Sequence, residues 1–559
     1  MTNNPCTKFQ DDDIYEVFEC PEFSTFKYNF IEQYAQHNCV LADIDMVFRE
    51  KFEGDAFLST VESLTGSSLI RGAYKKAMCH IMFINYRNRH FNVPVHRESK
   101  LKSAWKYVRA VAQFAVYPLW IVYKIGIPSL HKKPKQTYQC GFRVSCCDWS
   151  FRNKCRSFDF LIDKNLLSKE NVIFCIEEPI SSEYRAAIDE RGYDSVQIRE
   201  ILKNADISFL YREFLKKQFP AWLKLLIRSP LKPPYMLSLT LEILYKSLLW
   251  SKFFEDYHVG HYVVFNDDLP ADIIRYIHAD RSHTRTWFYI HSCSTNDFLT
   301  PPGMDDVLDT LYAFYATHHL VVWGRKMENY YRKHPHFIQC FDRFGCLFSE
   351  QVREARERPD TNTPRQKLLM KCHPKKIIGV FDTSFTETCP LGFEDMIRFV
   401  SGLLQLLEDF PDIGIIFKNK NSLKLLSEYV PQILPHYQKL QDHPRVYFTD
   451  ADNTDPTECL AAADLVISAP FTSSSIEAIG AKIPALYYDA SNRFPGCYYD
   501  RIPRFVAHNY AELKDFVNYW LIFCPPAEFE VYLNSYFKGE LHEDFDAKAI
   551  SRLREQLAS

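Results

Sequence analysis

Short apolar runs, each closed by polar residues or glycine and most followed by a helical pattern, recur through most of this chain. One series comprises 172–176 ending in Glu177-Glu178, 262–265 ending in Asn266-Asp267-Asp268 before a helix from Ala271, 287–290 ending in His291-Ser292, and 320–323 ending in Gly324. A second comprises 376–381 ending in Asp382-Thr383-Ser384-Phe385-Thr386, 413–417 ending in Lys418-Asn419-Lys420, then 446–448, 465–467 and 484–488. Helical patterns fall between them, over 393–408 and around Leu423, Leu425, Leu426 and Val430. Short apolar strands alternating with helices predict parallel sheets covered on both sides, and hence an α/β protein with two doubly wound domains. Turn-rich stretches near 130–137 and 356–366 read as linkers. The expected organisation is a mainly helical extension over 1–165, one sheet domain over 166–360, a second over 366–525, and C-terminal helices over 526–559 that pack back across the halves.

The stretch 463–489 is the most informative. Leu465, Val466 and Ile467 form a strand that Pro470 breaks, and Ser473, Ser474 and Ser475 supply caps for a helix carrying Ile476, Ala478 and Ile479 inward. Gly480 closes that helix and 484–488 reads as the next strand. The first turn of a helix has unpaired amides and a positive dipole end, so it attracts anions, and the hydroxyls of Thr472, Ser473, Ser474 and Ser475 add donors without fixed charge. Glu477, one turn in, offers a carboxylate for a ribose diol, which fits a nucleotide.

The run A-D-L-V-I-S, a Ser/Thr-rich turn, then E-A-x-G-x-K-x-P resembles the nucleotide-binding half of GT-B glycosyltransferases of bacterial surface-polysaccharide synthesis and their glycerophosphotransferase and sugar-nucleotide 2-epimerase relatives. The resemblance covers roughly residues 366–525 and implies two Rossmann-like domains facing across a cleft. It further implies transfer of a sugar from a nucleotide-activated donor to a glycan or lipid-linked acceptor, the nucleotide sugar being a substrate, with no cofactor and no metal ion. Ligands of doubly wound sheets lie beyond the carboxyl ends of the strands. The donor is therefore expected against Thr383, Ser384 and Thr386, against Lys418 and Lys420, whose charge would steady the leaving group, and against Thr472, Ser473, Ser474, Ser475 and Glu477. Ser473 and Ser474 fall on the paired-serine phosphate motif of sialyl- and Kdo-type transferases. The Lys-x-His-Pro of those enzymes is replaced by Lys418-Asn419-Lys420; the string itself occurs at 371–374, before a strand, where it reads as a turn.

For the base that deprotonates the acceptor hydroxyl, Asp267 and Asp268 resemble a paired-acid motif, with Leu269 where a glycine is expected. Helix capping ahead of Pro270 is their structural alternative. His291, whose imidazole titrates near neutrality, is the second candidate, and Glu177 with Glu178 the third. A glycerophosphotransferase, a 2-epimerase and a non-catalytic assembly subunit on the same fold remain the competing readings.

Composition narrows the partners. With 47% hydrophobic and 15% aromatic residues the chain has the composition of a folded protein, and a net charge of −3 gives no electrostatic case for capturing nucleic acid. The 105–127 stretch is aromatic, flanked by lysine and arginine, and interrupted by Pro118. Its uncharged part, 110–123, is shorter than the roughly 20 residues of a membrane-spanning helix. It reads either as an interfacial helix or as a buried one. Residues 1–13 are polar and acidic, so the 17 cysteines are expected as reduced cytoplasmic thiols, with the protein peripheral at the inner face of the membrane. Cys140, Cys146, Cys147 and Cys155 cluster without a repeated Cys-x2-Cys, the spacing that structural zinc favours.

Overall fold

The computed structural model describes residues 30–90, 100–132, 134–144, 161–162, 166–180, 182–265, 269–293, 308–358, 363–385, 391–449, 451 and 454–559. Four N-terminal helices, α1 (Phe30–Phe52), α2 (Ala56–Thr65), α3 (Ile70–His90) and α4 (Lys100–Ile125), precede two parallel sheets. The first sheet holds β1 (Gln136–Val144), β2 (Val172–Ile176), β3 (Asp194–Gln197), β4 (Tyr257–Val264), β5 (Arg285–Tyr289), β6 (Ala316–Val322) and β7 (Phe337–Arg343), in the order β3-β2-β1-β4-β5-β6-β7. The second holds β8 (Lys376–Phe381), β9 (Ile413–Lys418), β10 (Val446–Phe448), β11 (Leu465–Ser468), β12 (Ala485–Tyr488) and β13 (Val506–Ala507), in the order β10-β9-β8-β11-β12-β13. Every pairing is parallel. In both sheets the first strand lies between the second and fourth, so each is a Rossmann-like doubly wound sheet. The α/β class, two doubly wound sheets with a helical N-terminal region, is as the sequence led one to expect.

One boundary moves. The first sheet takes its interior strand β1 from 136–144, inside the stretch assigned to the extension, so it begins before residue 166. The extension is also no appendage. Tyr74 meets Thr240 of the helix Pro234–Asp256 at 2.6 Å, and the His37 ring meets Thr310 at 3.0 Å, both buried. Cys39 is disulfide-bonded, a departure from the expected all-thiol state, while the other cysteines identified among the described residues are free. Of the cysteine cluster only Cys140 is described, as a buried thiol of β1; Cys146, Cys147 and Cys155 lie outside the described residues.

Two elements bind the halves together. The helix Leu347–Glu357 leaves the first sheet and packs on the second, with the Ser349 hydroxyl donating to Glu477 O at 2.8 Å and the Arg353 guanidinium to Gly480 O at 2.7 Å. The last helix, Ala549–Ala558, returns to the first sheet, where Gln139 Nε2 donates to Ala558 O at 2.7 Å and Arg554 Nε to Leu161 O at 3.0 Å.

α4 runs unbroken through Pro118. Proline has no N–H for the carbonyl four residues earlier, which here is Phe114 O, and Trp222 Nε1 donates to that oxygen at 2.9 Å from a neighbouring rod. The rod comprises Ile207–Phe209, a π-helical Leu210–Gln218 and Phe219–Arg228. Tyr107 OH on Pro230 O and Tyr117 OH on Gln218 Oε1 show that α4 and the rod run antiparallel. Trp222→Phe should leave the Phe114 carbonyl buried without a donor and lower unfolding stability by about 1–3 kcal/mol in a denaturant titration. Pro118→Ala restores the helical amide and should shrink that loss in the double variant. Strict additivity would show that this carbonyl is not the shared partner.

Candidate functional site

The switch point of the second sheet lies between β8 and β11, whose Phe381 and Ser468 are register partners, while β9 brings Lys418 opposite Phe381 on the other side. Residues after β9, β8 and β11 therefore follow strand ends on one side of the sheet.

The turn after β11 is built from unlike parts. Pro470 ends the strand, and Phe471 takes φ 103°, a conformation costly for a bulky side chain. What holds it is an aromatic box, with Phe494, Tyr487 and Tyr499 ring centroids at 5.0, 5.5 and 5.6 Å from that of Phe471. Thr472, not one of the serines expected to cap, holds the N-cap position of the helix Ser473–Gly480 without a side-chain capping bond, and its carbonyl accepts from Tyr487 OH at 2.8 Å.

The hydroxyls of this turn divide their work. Ser475 is buried and donates to Leu486 O at 3.1 Å, and Thr472 donates to Ala469 O at 3.3 Å, so both serve the fold. Ser473 crosses to the other half: its Oγ lies 2.7 Å from Ser292 Oγ and accepts from Cys293 N at 3.2 Å. Ser474, half-buried, has no hydrogen bond to a described residue, and the same holds for Thr383 and Ser384 at the end of β8. Glu477 is only 1% exposed, and the placement expected for a ribose ligand is a core position behind the turn. Thr386 lies outside the described residues.

The two lysines also separate. Lys418 is buried and its Nζ donates to Asn419 O at 2.9 Å and Ala451 O at 2.8 Å, whereas Lys420 is exposed. Between them sits Asp382, passed over in the sequence because it reads as part of a strand end. Its carboxylate accepts from Lys420 N at 2.6 Å and from Tyr437 OH at 2.8 Å. Burial pushes its pKa up to about 7, against the opposing pull of those hydrogen bonds and the lysine charges. Further along the rim, Asp489 and Asp500 grip His508 at 3.1 and 2.8 Å and raise it to about 9, so it is an imidazolium at neutral pH.

Across the contact, His291 follows β5 and its Nδ1 lies 2.9 Å from Phe265 O. A carbonyl only accepts, so Nδ1 carries the proton and Nε2 is the basic nitrogen. Asp267 and Asp268 lie outside the described residues. Glu177 is an ion-pair hub, accepting from Arg275 at 2.7 Å and Tyr262 OH at 2.8 Å, with Arg143 at 3.3 Å. Of the expected residues, then, the structure brings His291, Ser473, Ser474, Thr383, Ser384 and Lys420 to the facing strand ends, and turns Ser475, Glu477 and Lys418 inward. One metal-compatible group stands elsewhere among the described residues: His319, Cys340 and Asp342, on the adjacent strands β6 and β7.

Two facing Rossmann-like sheets with a hydroxyl-rich turn at the switch point define the class. Within it, the chain belongs to the polysaccharide biosynthesis PFTS motif family, whose model matches residues 213–517, more than half of the sequence. The string Pro470-Phe471-Thr472-Ser473 spells those four letters, and each has a distinct task in the turn: strand break, strained corner, cap and cross-cleft contact. Solved structures similar to this one include the wall teichoic acid polymerase TagF (11% identity, covering 82% of this chain and 98% of that one, TM-score 0.42). Others are the UDP-GlcNAc 2-epimerase from Neisseria meningitidis bound to UDP-GlcNAc (11%, 76% and 99%, 0.42) and the α,α-trehalose 6-phosphate synthase from Burkholderia multivorans (9%, 76% and 98%, 0.42). No match is found among curated proteins.

Asp382 supplies a pH prediction. Its native pKa, about 7, lies above the roughly 3.9 of an unfolded aspartate, so between these values the native state holds a proton that the unfolded state has lost. Its stabilising contribution is complete below the lower value and is lost as pH rises through the upper one. Asp382→Asn should flatten the decline in unfolding free energy between pH 4 and 7 by up to about 4 kcal/mol at roughly 1.4 kcal/mol per unit. Parallel pH curves for the two proteins would contradict this.

Proposed function

We propose that this protein transfers a sugar from a nucleotide-activated donor to a glycan acceptor in polysaccharide synthesis. The observation that carries the reading is the Ser292–Ser473 contact at 2.7 Å, which sets the His291 strand end against the serine turn. The donor phosphates lie at the first turn of the helix Ser473–Gly480, where free amides and the Ser474, Thr383 and Ser384 hydroxyls receive them and Lys420 adds charge. The acceptor hydroxyl gives its proton to His291 Nε2, its oxygen bonds to the anomeric carbon, and the bond from that carbon to the phosphate oxygen breaks with the electrons leaving on the nucleotide. Family membership supports the pathway class, and the facing strand ends support the chemistry.

Thermal unfolding against CMP, CDP, UDP, GDP and their sugar conjugates tests the donor half. One nucleotide series should stabilise the protein, by about 2.7 kcal/mol at a hundredfold excess over Kd, and Ser474→Ala with Ser384→Ala should abolish the shift without changing the ligand-free melting point. His291→Ala should keep that shift and lower kcat about 10²- to 10⁴-fold. A protein that no nucleotide stabilises would favour a non-catalytic assembly role.

A further inference from the structure

The second unusual surface is formed by α4 and the 207–228 rod. α4 buries one stripe, Ala110, Phe114, Tyr117, Ile121 and Ile125, and turns another outward: Trp105, Val108, Ala112, Val116, Leu119 and Tyr123, with Leu119 74% and Tyr123 79% exposed. Both stripes repeat every three or four residues, so α4 is apolar on two faces. The rod exposes Ile207, Tyr211, Leu215, Phe219, Leu223 and Ile227, every fourth residue along its length. A four-residue step overshoots an α-helical turn and falls short of a π turn, so the π-helical Leu210–Gln218 cancels the drift and keeps the stripe straight. The Trp222 and Tyr117 hydrogen bonds hold the two helices side by side.

Charge identifies what covers it. α4 has no acidic residue, and Lys106, Arg109 and Lys124 flank its stripe. The rod carries Arg212, Lys216, Lys217, Lys224 and Arg228 against a single acid, Glu213, which Arg212 and Lys217 engage. This basic concentration sits in a chain of net charge −3. Two copies joined through this surface about a twofold axis would set these cations against each other. An apolar stripe between basic flanks matches an anionic lipid surface instead, with aromatic rings at headgroup level. No helix among the described residues is long and apolar enough to cross a membrane, so the contact lies in the interfacial plane.

We infer that α4 and the 207–228 rod form a single plate that docks this protein on an anionic lipid bilayer. At its edge Trp120 and Lys124 turn into a cavity of about 270 Å³ lined also by Arg143, Glu177, Tyr245 and Lys246, beyond the ends of β1 and β2. Docking therefore sets the mouth of that cavity beside the headgroups. Resting on the transfer reading above, the acceptor it admits is carried on a membrane lipid.

The full-length protein should sediment with phosphatidylcholine vesicles containing phosphatidylglycerol, bind those of phosphatidylcholine alone at least tenfold more weakly, and release as salt is raised. Leu119→Glu with Leu223→Glu, both at exposed positions, should weaken binding at least tenfold while the melting point and the nucleotide-induced shift stay as in the parent. Failure of the parent protein to bind the anionic vesicles would overturn the docking surface. So would a dimer, seen by light scattering, that the double variant converts to monomer, because the plate would then be a self-association face. Vesicle binding without sugar transfer to lipid-extracted acceptors would leave docking intact and count against the lipid-carried acceptor.

Discussion

The site depends on Phe471 being held at positive φ. No glycine relieves the corner; three aromatic rings of the second domain enclose the side chain and keep the backbone where it would not otherwise stay. That corner ends β11, starts the helix Ser473–Gly480, and aims Ser473 at the other domain. A smaller residue at 471 would empty the box, and a relaxed φ would swing the first helical turn away from the strand ends it faces.

The far end of the same helix is held as firmly. Gly480 leaves no room for a Cβ beside Ser349 and His542, and the Arg353 guanidinium sits on the carbonyl end, where the helix dipole favours positive charge. The helix Leu347–Glu357 that supplies Ser349 and Arg353 comes from the first domain, so the anion-attracting turn is positioned by both halves at once. Burial lowers the His542 pKa to about 4, so that ring packs there uncharged beside the Arg353 guanidinium.

Much of this was legible in the sequence where local pattern and tertiary role agree. β2 and β8 read as continuous apolar runs because both faces of a central parallel strand are covered. β1 was missed although it is an interior strand of its sheet, because Gln136, Gln139, Gly141 and Arg143 break the run. Gly141 is there for space, since Tyr262 and Val259 crowd the position of a Cβ. β3, β7 and β13 escaped notice as polar edge strands or as a two-residue pairing. At the site, residue type announced the hydroxyls, but only geometry distinguishes Ser474 from Ser475, one residue on and turned into the core. Asp382 gave no signal because its raised pKa comes from burial in the folded chain, which outweighs the hydrogen bonds from Tyr437 and Lys420 that pull it down. The rod at 207–228 kept its regular stripe hidden because a four-residue repeat belongs to neither an α-helix nor a strand until the π turn is known.

The central claim is that nucleotide binds between the ends of β8 and β11, facing the His291 loop. Amide hydrogen exchange followed by mass spectrometry, with and without a saturating stabilising nucleotide, tests it most directly. The account predicts slowed exchange in peptides covering 382–385, 470–476 and 291–293, with little change around 172–178 and 240–250. Protection confined to the cavity beyond β1 and β2, with the serine turn unchanged, would contradict it.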